Sequence, residues 1–334
     1  MTLQQPINSG YGPATTAAEI IEGIDLSGKT AIVTGGYSGI GVETVRALAG
    51  AGAEIIVPTR NVEKAATALE GIERIIVEPM DLIDQPSIDA FADRFLASAK
   101  PLHILVNSAG IMATPFERDS RGYEIQFATN HLGHFQLVAR LWPALKAANG
   151  ARIVSVSSWG HRHSPVIFED PNYERRDYTP WLGYGQSKTA NILLAVAADA
   201  RGKDDNIRAF SLHPGAIAGT GLEKHIRKED LIAAGILDAE GKPIIDPSKN
   251  QKTVEQGAAT SIWCAVSPQL DAMGGLYCEN CDVAPLVSAA VEAAPAEDGS
   301  RKFASRALGV MPYAVDAEAA ERLWGLSEAL LGWV

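Results

Sequence analysis

Short runs of aliphatic and β-branched residues recur along the first two-thirds of the chain, at positions 31–34, 55–58, 74–77, 104–106, 152–157 and 208–212. Between them the apolar residues return at helical spacing, so strand and helix patterns alternate. That alternation predicts βαβ units: a doubly wound parallel sheet of the Rossmann type, α/β in class, as a single domain. Residues 15–23 read as a short helix with a Thr cap and a closing Gly. Residues 123–148 place Phe127, Leu132, Phe135, Val138, Leu141 and Trp142 on one apolar face, interrupted by Asn130. A polar residue of low propensity in mid-helix either faces solvent or is a fixed donor and acceptor aimed at a site, and helix physics alone leaves both open. Residues 184–200 read as a further helix. The tail 316–331 is amphipathic, with Ala319, Leu323, Leu326 and Leu330 on the side that packs on the domain or on a partner subunit. Stretches 159–183, 237–252 and 292–300 read as surface loops.

The first apolar run passes into Thr34-Gly-Gly-Tyr-Ser-Gly-Ile-Gly41 and then into an amphipathic helix pattern. Gly35 allows a tight turn off the strand, Gly39 lets backbone approach a pyrophosphate, and Gly41 lets the helix lie close on the sheet. The free N–H groups and positive dipole end of that helix favour an anion. The same spacing also arises in glycine-rich turns without a ligand. Composition sharpens the picture by exclusion. A net charge of -11 over 334 residues gives no basic footprint for nucleic acid or anionic lipid, so nucleotide phosphates must be met by local devices. No run reaches membrane-spanning length and the first residues lack signal-peptide character, which predicts a cytoplasmic protein with no membrane partner. Three cysteines fit a reducing compartment; Cys278 and Cys281 lack a second ligand pair, so no metal is expected.

The second strand pattern ends at Thr59-Arg60-Asn61, where an NAD site would present a carboxylate to the ribose hydroxyls. Arg60 stands there instead, and a guanidinium suits a 2′-phosphate, which favours NADP over NAD. After the third run, Asp81-Leu82 is placed to meet an adenine amine, and after the fourth, Asn107-Ser-Ala-Gly110 forms a small-residue turn at the ligand-binding edge. Either segment is also ordinary turn chemistry. The fifth run leaves Ser157 and Ser158 at its carboxyl end. Tyr184 and Lys188, in Tyr184-Gly-Gln-Ser-Lys188, share one helical face at i and i+4. A phenol titrates near pH ~10, so neutral-pH proton transfer needs a cation beside the phenolate; a lysine within one turn supplies it, and with a nicotinamide ring in a partly desolvated cleft it could lower the phenol ~2–3 units.

These motifs, with Asn130 and Pro214-Gly215, occur in the order seen in the short-chain dehydrogenase/reductase superfamily, which the chain resembles from about residue 26 to residue 283. The resemblance implies that Tyr184 gives or takes the proton, that Lys188 lowers its pKa and holds the nicotinamide ribose, that Ser158 polarises the carbonyl, and that Asn130 fixes a relaying water. It implies a cofactor site built from Gly35, Tyr37, Ser38, Gly39, Ile40, Gly41, Arg60, Asp81, Leu82, Asn107, Ala109, Gly110, Tyr184, Lys188, Pro214, Gly215 and Ile217. The Thr-Ala-Ala-Glu-Ile arm, Thr59-Arg-Asn61, Asn130-His-Leu-Gly-His-Phe135 and the long stretch before Tyr184 resemble the retinol-dehydrogenase and WW-domain-oxidoreductase-like branch. Neither a WW domain nor a membrane anchor is read here, so scaffold functions and membrane retinoid chemistry are not expected. In His213-Pro-Gly-Ala-Ile-Ala-Gly-Thr220 the threonine falls one residue later than in most relatives.

The expected organisation is an arm at 1–26, a dinucleotide-binding catalytic domain at 27–290 carrying a substrate insert at 159–183, and a C-terminal extension at 291–334. The insert holds Trp159, His161, His163, Phe168, Tyr173, Tyr178 and Trp181. Such rings suit either an apolar substrate or the small core of a folded-back loop. The expectation is a partly ordered lid, walled by Trp159, Tyr178 and Trp181, over a bulky or cyclic small-molecule substrate. The predicted activity is NADP(H)-dependent interconversion of a secondary alcohol and a carbonyl, in a possible homo-oligomer. Reduction of an activated C=C bond, as in protochlorophyllide reductase-like relatives, and NADP sensing without turnover are the competing functions. A complete Asn/Ser/Tyr/Lys set argues against the sensor.

Overall fold

A computed structural model describes residues 3–287 and 309–334. The chain begins with an arm and helix α1 (Ala17–Ile21), then alternates β1 (Thr30–Thr34), α2 (Ile40–Gly50), β2 (Glu54–Thr59), α3 (Val62–Ala68), β3 (Ile75–Pro79), α4 (Gln85–Ala97) and β4 (Ile104–Asn107). Helical segments α5 (Ile125–Phe127), α6 (Gly133–Arg140) and α7 (Trp142–Ala147) lead to β5 (Ala151–Val156). Then come α8 (Pro180–Gly202), β6 (Ile207–His213), α9 (Lys228–Ala233), α10 (Val254–Val266), β7 (Leu276–Glu279), β8 (Asp282–Val283) and a C-terminal helix, Ala317–Leu330. The six apolar runs of the sequence are β1 to β6. β7 and β8 complete the sheet and carry no comparable sequence signal.

Strand order is β3-β2-β1-β4-β5-β6-β7-β8, parallel throughout except for the β7–β8 pair. Successive strands leave β1 in both directions, so the switch point lies between β1 and β4, where Thr34 pairs in register with Asn107. In open α/β sheets the crevice outside the carboxyl ends of such a pair is where ligands bind. Two apolar layers close the faces. One is built on Phe91, Phe127, Phe135 and Leu193, the other on Val45, Leu48, Ile262 and Trp263.

Several elements differ from the sequence pattern. The 123–148 helix is broken: residues Ala128–Leu132 form a π-helical turn around Asn130, and Leu141 separates α6 from α7. The helix expected at 184–200 begins at Pro180, because the Thr179 hydroxyl caps Leu182 N–H and Pro180 fits the first turn. The C-terminal helix packs on its own domain. Its Leu323 and Trp324 are buried, the Trp324 ring meets Phe135 edge-on at 4.9 Å, and Tyr123 Oη donates to Leu330 O at 2.6 Å. The N-terminal arm is stitched to the sheet edge, where Gln4 donates to the carbonyls of Tyr277 and Ala284 and accepts from Tyr277 N–H. Residues 292–300, read as a loop, and the boundary at 290 lie outside the described residues. Among the described residues no helix is long and apolar enough to cross a membrane.

Candidate active site

The carboxyl ends of β1, β4, β5 and β6 open onto a cleft of about 300 Å³. Its cofactor-side floor is the turn after β1. Gly35 and Gly39 hold φ of +66° and +52°, which L side chains rarely adopt, and a Cβ on Gly41 would lie 2.2 Å from the Gly35 carbonyl oxygen. Gly39 caps α2 without a side chain, leaving the first N–H groups of the helix facing the turn. Across the floor, Ser108 and Ala109 N–H donate to Thr34 Oγ1 at 2.9 and 3.0 Å, fixing the Asn107-to-Gly110 turn against β1. The Asn107 amide is buried at the strand end, with neither its oxygen nor its nitrogen partnered among the described residues. A glycine cradle beside such an amide fits a dinucleotide, whose edge groups would supply the amide's partners.

Of the expected cofactor residues, Gly35, Ser38, Gly39, Ile40, Ala109, Gly110, Tyr184, Lys188, Pro214, Gly215 and Ile217 line the cleft. Tyr37 packs at the edge of the apolar layer, and Gly41 acts through close packing. Arg60 is exposed at the tip of β2, with no ion pair among the described residues. Asp81 accepts from Ile83 N–H at 3.2 Å, the Leu82 carbonyl lies against Gly133, and neither residue is part of the cleft lining.

Tyr184 and Lys188 lie on the second and third turns of α8, both buried. Lys188 Nζ donates to Val156 O at 3.1 Å and sits 5.6 Å from the Tyr184 ring centroid. Ser158 Oγ accepts from Gly160 N–H at 3.0 Å, and the Ser158 and Tyr184 side chains flank Gly160 and line the cleft together. Asn130 is wholly buried rather than solvent-facing. Its side chain accepts from Ile111 N–H and donates to Ile111 O and Ser187 Oγ, each at 2.9 Å, so the π turn is clamped to the β4 loop and to α8. Gly110 keeps the space between Asn130 Oδ1 and Lys188 Nζ open.

The electrostatics correct one expectation. Lys188 alone does not hold the phenol below its ordinary value: burial pushes Tyr184 up to about 12, only partly offset by the neighbouring Ser158 hydroxyl, and pushes Lys188 down to about 8. Desolvation penalises phenolate and ammonium alike, and the ammonium is turned to a backbone carbonyl. At neutral pH the phenol keeps its proton and the lysine keeps its charge.

The insert also differs from expectation. Residues 159–183 are no plain surface loop: Trp159–His163 form a 3₁₀ turn whose Gly160, His161 and Arg162 are buried. His161 accepts from Met311 N–H at 3.2 Å through Nε2, which leaves Nδ1–H to donate to Ser158 O at 2.7 Å. Further along, Gln186 Oε1 accepts from Ile167 N–H and the Arg176 guanidinium, while its amide nitrogen donates to Pro171 O. Trp159 and Trp181 reach the cleft, whereas Tyr178 does not: its hydroxyl donates to Thr114 O at 2.9 Å and accepts from Gln126 at 2.7 Å. The insert is held by its own hydrogen bonds and presents two aromatic edges to the cleft.

Most of the remaining wall is apolar and was not read from the sequence: Met112, Leu222, Ile226, Leu231 and Ile236. The segment after β6 folds over the glycine turn, bringing the Thr220 side chain to within 3.0 Å of where a Gly39 Cβ would stand. Residues 237–252, read as a surface loop, end in buried Gln251 and Lys252 and contribute Asn250 to the lining. An apolar residue every few positions in 222–236 was the available signal, obscured by the intervening charges.

Comparison with known proteins gives a consistent pattern. Residues 29–231 match the short chain dehydrogenase family. The chain is 45% identical to a probable oxidoreductase of Streptomyces lividans, over 90% of this chain and 97% of that protein. It is 33% identical to retinol dehydrogenase 12 of Homo sapiens, over 92% of this chain and 88% of that protein. Among solved structures it is similar to an uncharacterised protein of Mycobacterium paratuberculosis, with a TM-score of 0.69 and 29% identity over 96% of this chain and 98% of that one.

Proposed function

The chain belongs to the short-chain dehydrogenase family of NAD(P)-binding oxidoreductases acting on CH–OH-type substrates, and from that premise we propose that it interconverts a secondary alcohol and a carbonyl with NADP(H). The observation that carries this reading is the gathering of Ser158, the buried Tyr184 and, one turn on, the buried Lys188 in one cleft floored by the glycine turn. The free N–H groups at the start of α2 would hold the pyrophosphate, Arg60 the 2′-phosphate, the Asn107 amide an edge of the base or ribose, and Pro214 to Ile217 the nicotinamide end. When bound, NADPH supplies the hydride and NADP⁺ accepts it.

In the reductive direction, Tyr184 transfers its phenolic proton to the substrate oxygen. Ser158 Oγ already accepts from Gly160 N–H, so its own proton is free to turn to the developing oxyanion. A phenol held near 12 would leave an unfavourable phenolate. Lys188, charged below about pH 8, stabilises that anion as it forms, and Asn130, clamped on its π turn, keeps the proton path in place. In oxidation the same groups run in reverse. The apolar wall from Met112 to Ile236 with the Trp159 and Trp181 edges suits a bulky or cyclic substrate body.

A panel of aldehydes, ketones and secondary alcohols, with NADPH and NADH followed by absorbance, tests the reading. Turnover should depend on Tyr184, and Tyr184→Phe should lose at least ~10²-fold in kcat with NADPH binding retained. Near-normal turnover in that variant would remove Tyr184 from the mechanism.

A further inference from the structure

His134 is buried one turn beyond Asn130, and the steps above do not use it. Its ring bridges two parts of the site. Nε2 lies 2.9 Å from Thr34 Oγ1, and Nδ1 lies 2.8 Å from the Asn130 carbonyl oxygen. Thr34 settles which nitrogen carries the proton. Its hydroxyl oxygen has two lone pairs, and both are taken by Ser108 and Ala109 N–H. An Nε2–H would be a third donor with no lone pair left to receive it. The Thr34 proton must leave the oxygen instead, and its nearer acceptor is Nε2, since Val106 O stands at 3.4 Å. Nε2 is therefore the acceptor, and the ring proton sits on Nδ1 and points at Asn130 O.

We propose that His134 is a positioning residue: with its proton on Nδ1 it ties the Asn130 carbonyl to the Thr34 hydroxyl, so the π turn is registered against the β1 and β4 ends that floor the cofactor site. The bridge has a fixed direction, from Ser108 and Ala109 N–H to Thr34, from Thr34 to Nε2, and from Nδ1 to Asn130. Every buried polar atom on it is paired, which only this tautomer achieves. Burial holds the ring neutral, its pKa lowered to about 4, and the nearby Lys188 charge adds to that; His131, buried on the π turn, is itself lowered to about 3. No proton is exchanged by the bridge in the working pH range. Its contribution is geometric, and it rests on the reading of Asn130 as part of the proton path.

The two bonds can be cut separately, because an Asn amide nitrogen takes the place of Nδ1 and a Gln amide that of Nε2. With ring-¹⁵N histidine, the His134 signal, identified by its loss in His134→Asn, should show a protonated Nδ1 and a bare Nε2. His134→Phe should lower kcat roughly tenfold while NADPH Kd moves less than about twofold, the scale of one buried hydrogen bond. His134→Asn should recover most of that loss and His134→Gln little of it. A proton on Nε2, equal impairment of the Asn and Gln variants, or a loss that appears wholly as weaker NADPH binding overturns the proposal. Failure of the Asn130 reading would look different: Asn130→Ala would keep its turnover while the tautomer and the order of rescue stood.

Discussion

Gly160→Ala tests the placement of the proton donor without touching it. A Cβ at residue 160 would stand 2.7 Å from Tyr184 Cε1, 2.8 Å from Cδ1 and 3.3 Å from Ser158 Oγ. Carbon atoms prefer separations of about 3.5–4.0 Å, so either the ring or the 3₁₀ turn must retreat by roughly 0.8 Å. The turn is the stiffer partner. His161 N–H and ring are tied to Ser158 O, Thr189 and Tyr313 hydroxyls donate to His161 O at 3.0 and 2.9 Å, and Arg162 donates to Gly309 O at 2.7 Å. The phenol should therefore move. Misplacement of a reacting group by about 1 Å costs on the order of 10²-fold, so kcat for carbonyl reduction should fall roughly 10–100-fold. Gly160 is not part of the cleft lining, so NADPH Kd, measured by fluorescence titration, should stay within about twofold. A folded variant with wild-type kcat would refute the reasoning, because the ring could then shift freely without consequence for the chemistry.

Arg60→Ala should weaken NADPH binding by about 1–3 kcal/mol and leave NADH nearly unchanged, the range for a charge-assisted contact; equal loss for both cofactors would remove Arg60 from 2′-phosphate recognition. Lys188→Met should abolish most turnover yet raise the stability of the cofactor-free protein by about 1–3 kcal/mol at pH 7, because wild-type folding desolvates an ammonium. The sign follows from a folded pKa of about 8, below the ordinary lysine value: the penalty is complete below pH 8 and fades as pH rises toward the unfolded pKa of 10.5, so the gain measured by urea unfolding should shrink over that interval. Trp181→Ala should reorder substrate preference and raise KM, while Tyr178→Phe, which loses the bond to Thr114 O, should cost about 1 kcal/mol of stability with substrate ranking intact; the reverse pattern would restore Tyr178 to the substrate wall.

What the sequence determined by itself is local. The runs at 31–34 through 208–212 announce β1 to β6 because a buried parallel strand must be apolar on both faces. Gly35 and Gly39 are legible because their backbone angles exclude most side chains, and the Tyr184/Lys188 pair because helical spacing fixes its shared face. Arg60 and the Asn107-to-Gly110 turn are placed by the strand ends that precede them. The tertiary structure decided what depends on residues far apart in the chain. Asn130 proved buried on a π turn because Ile111 and Ser187, on two other elements, satisfy its amide. The Tyr184 phenol is raised because the whole fold desolvates it, and the neighbouring Ser158 hydroxyl offsets only part of that. Tyr178 faces Thr114 and Gln126 instead of the cleft, and the cover of the site comes from residues 216–236, because a loop's path is set by what its side chains can pair with across the sheet. Helical spacing carries a Tyr and a Lys to one face; only burial and pairing, which are properties of the assembled layers, decide the charge each of them holds.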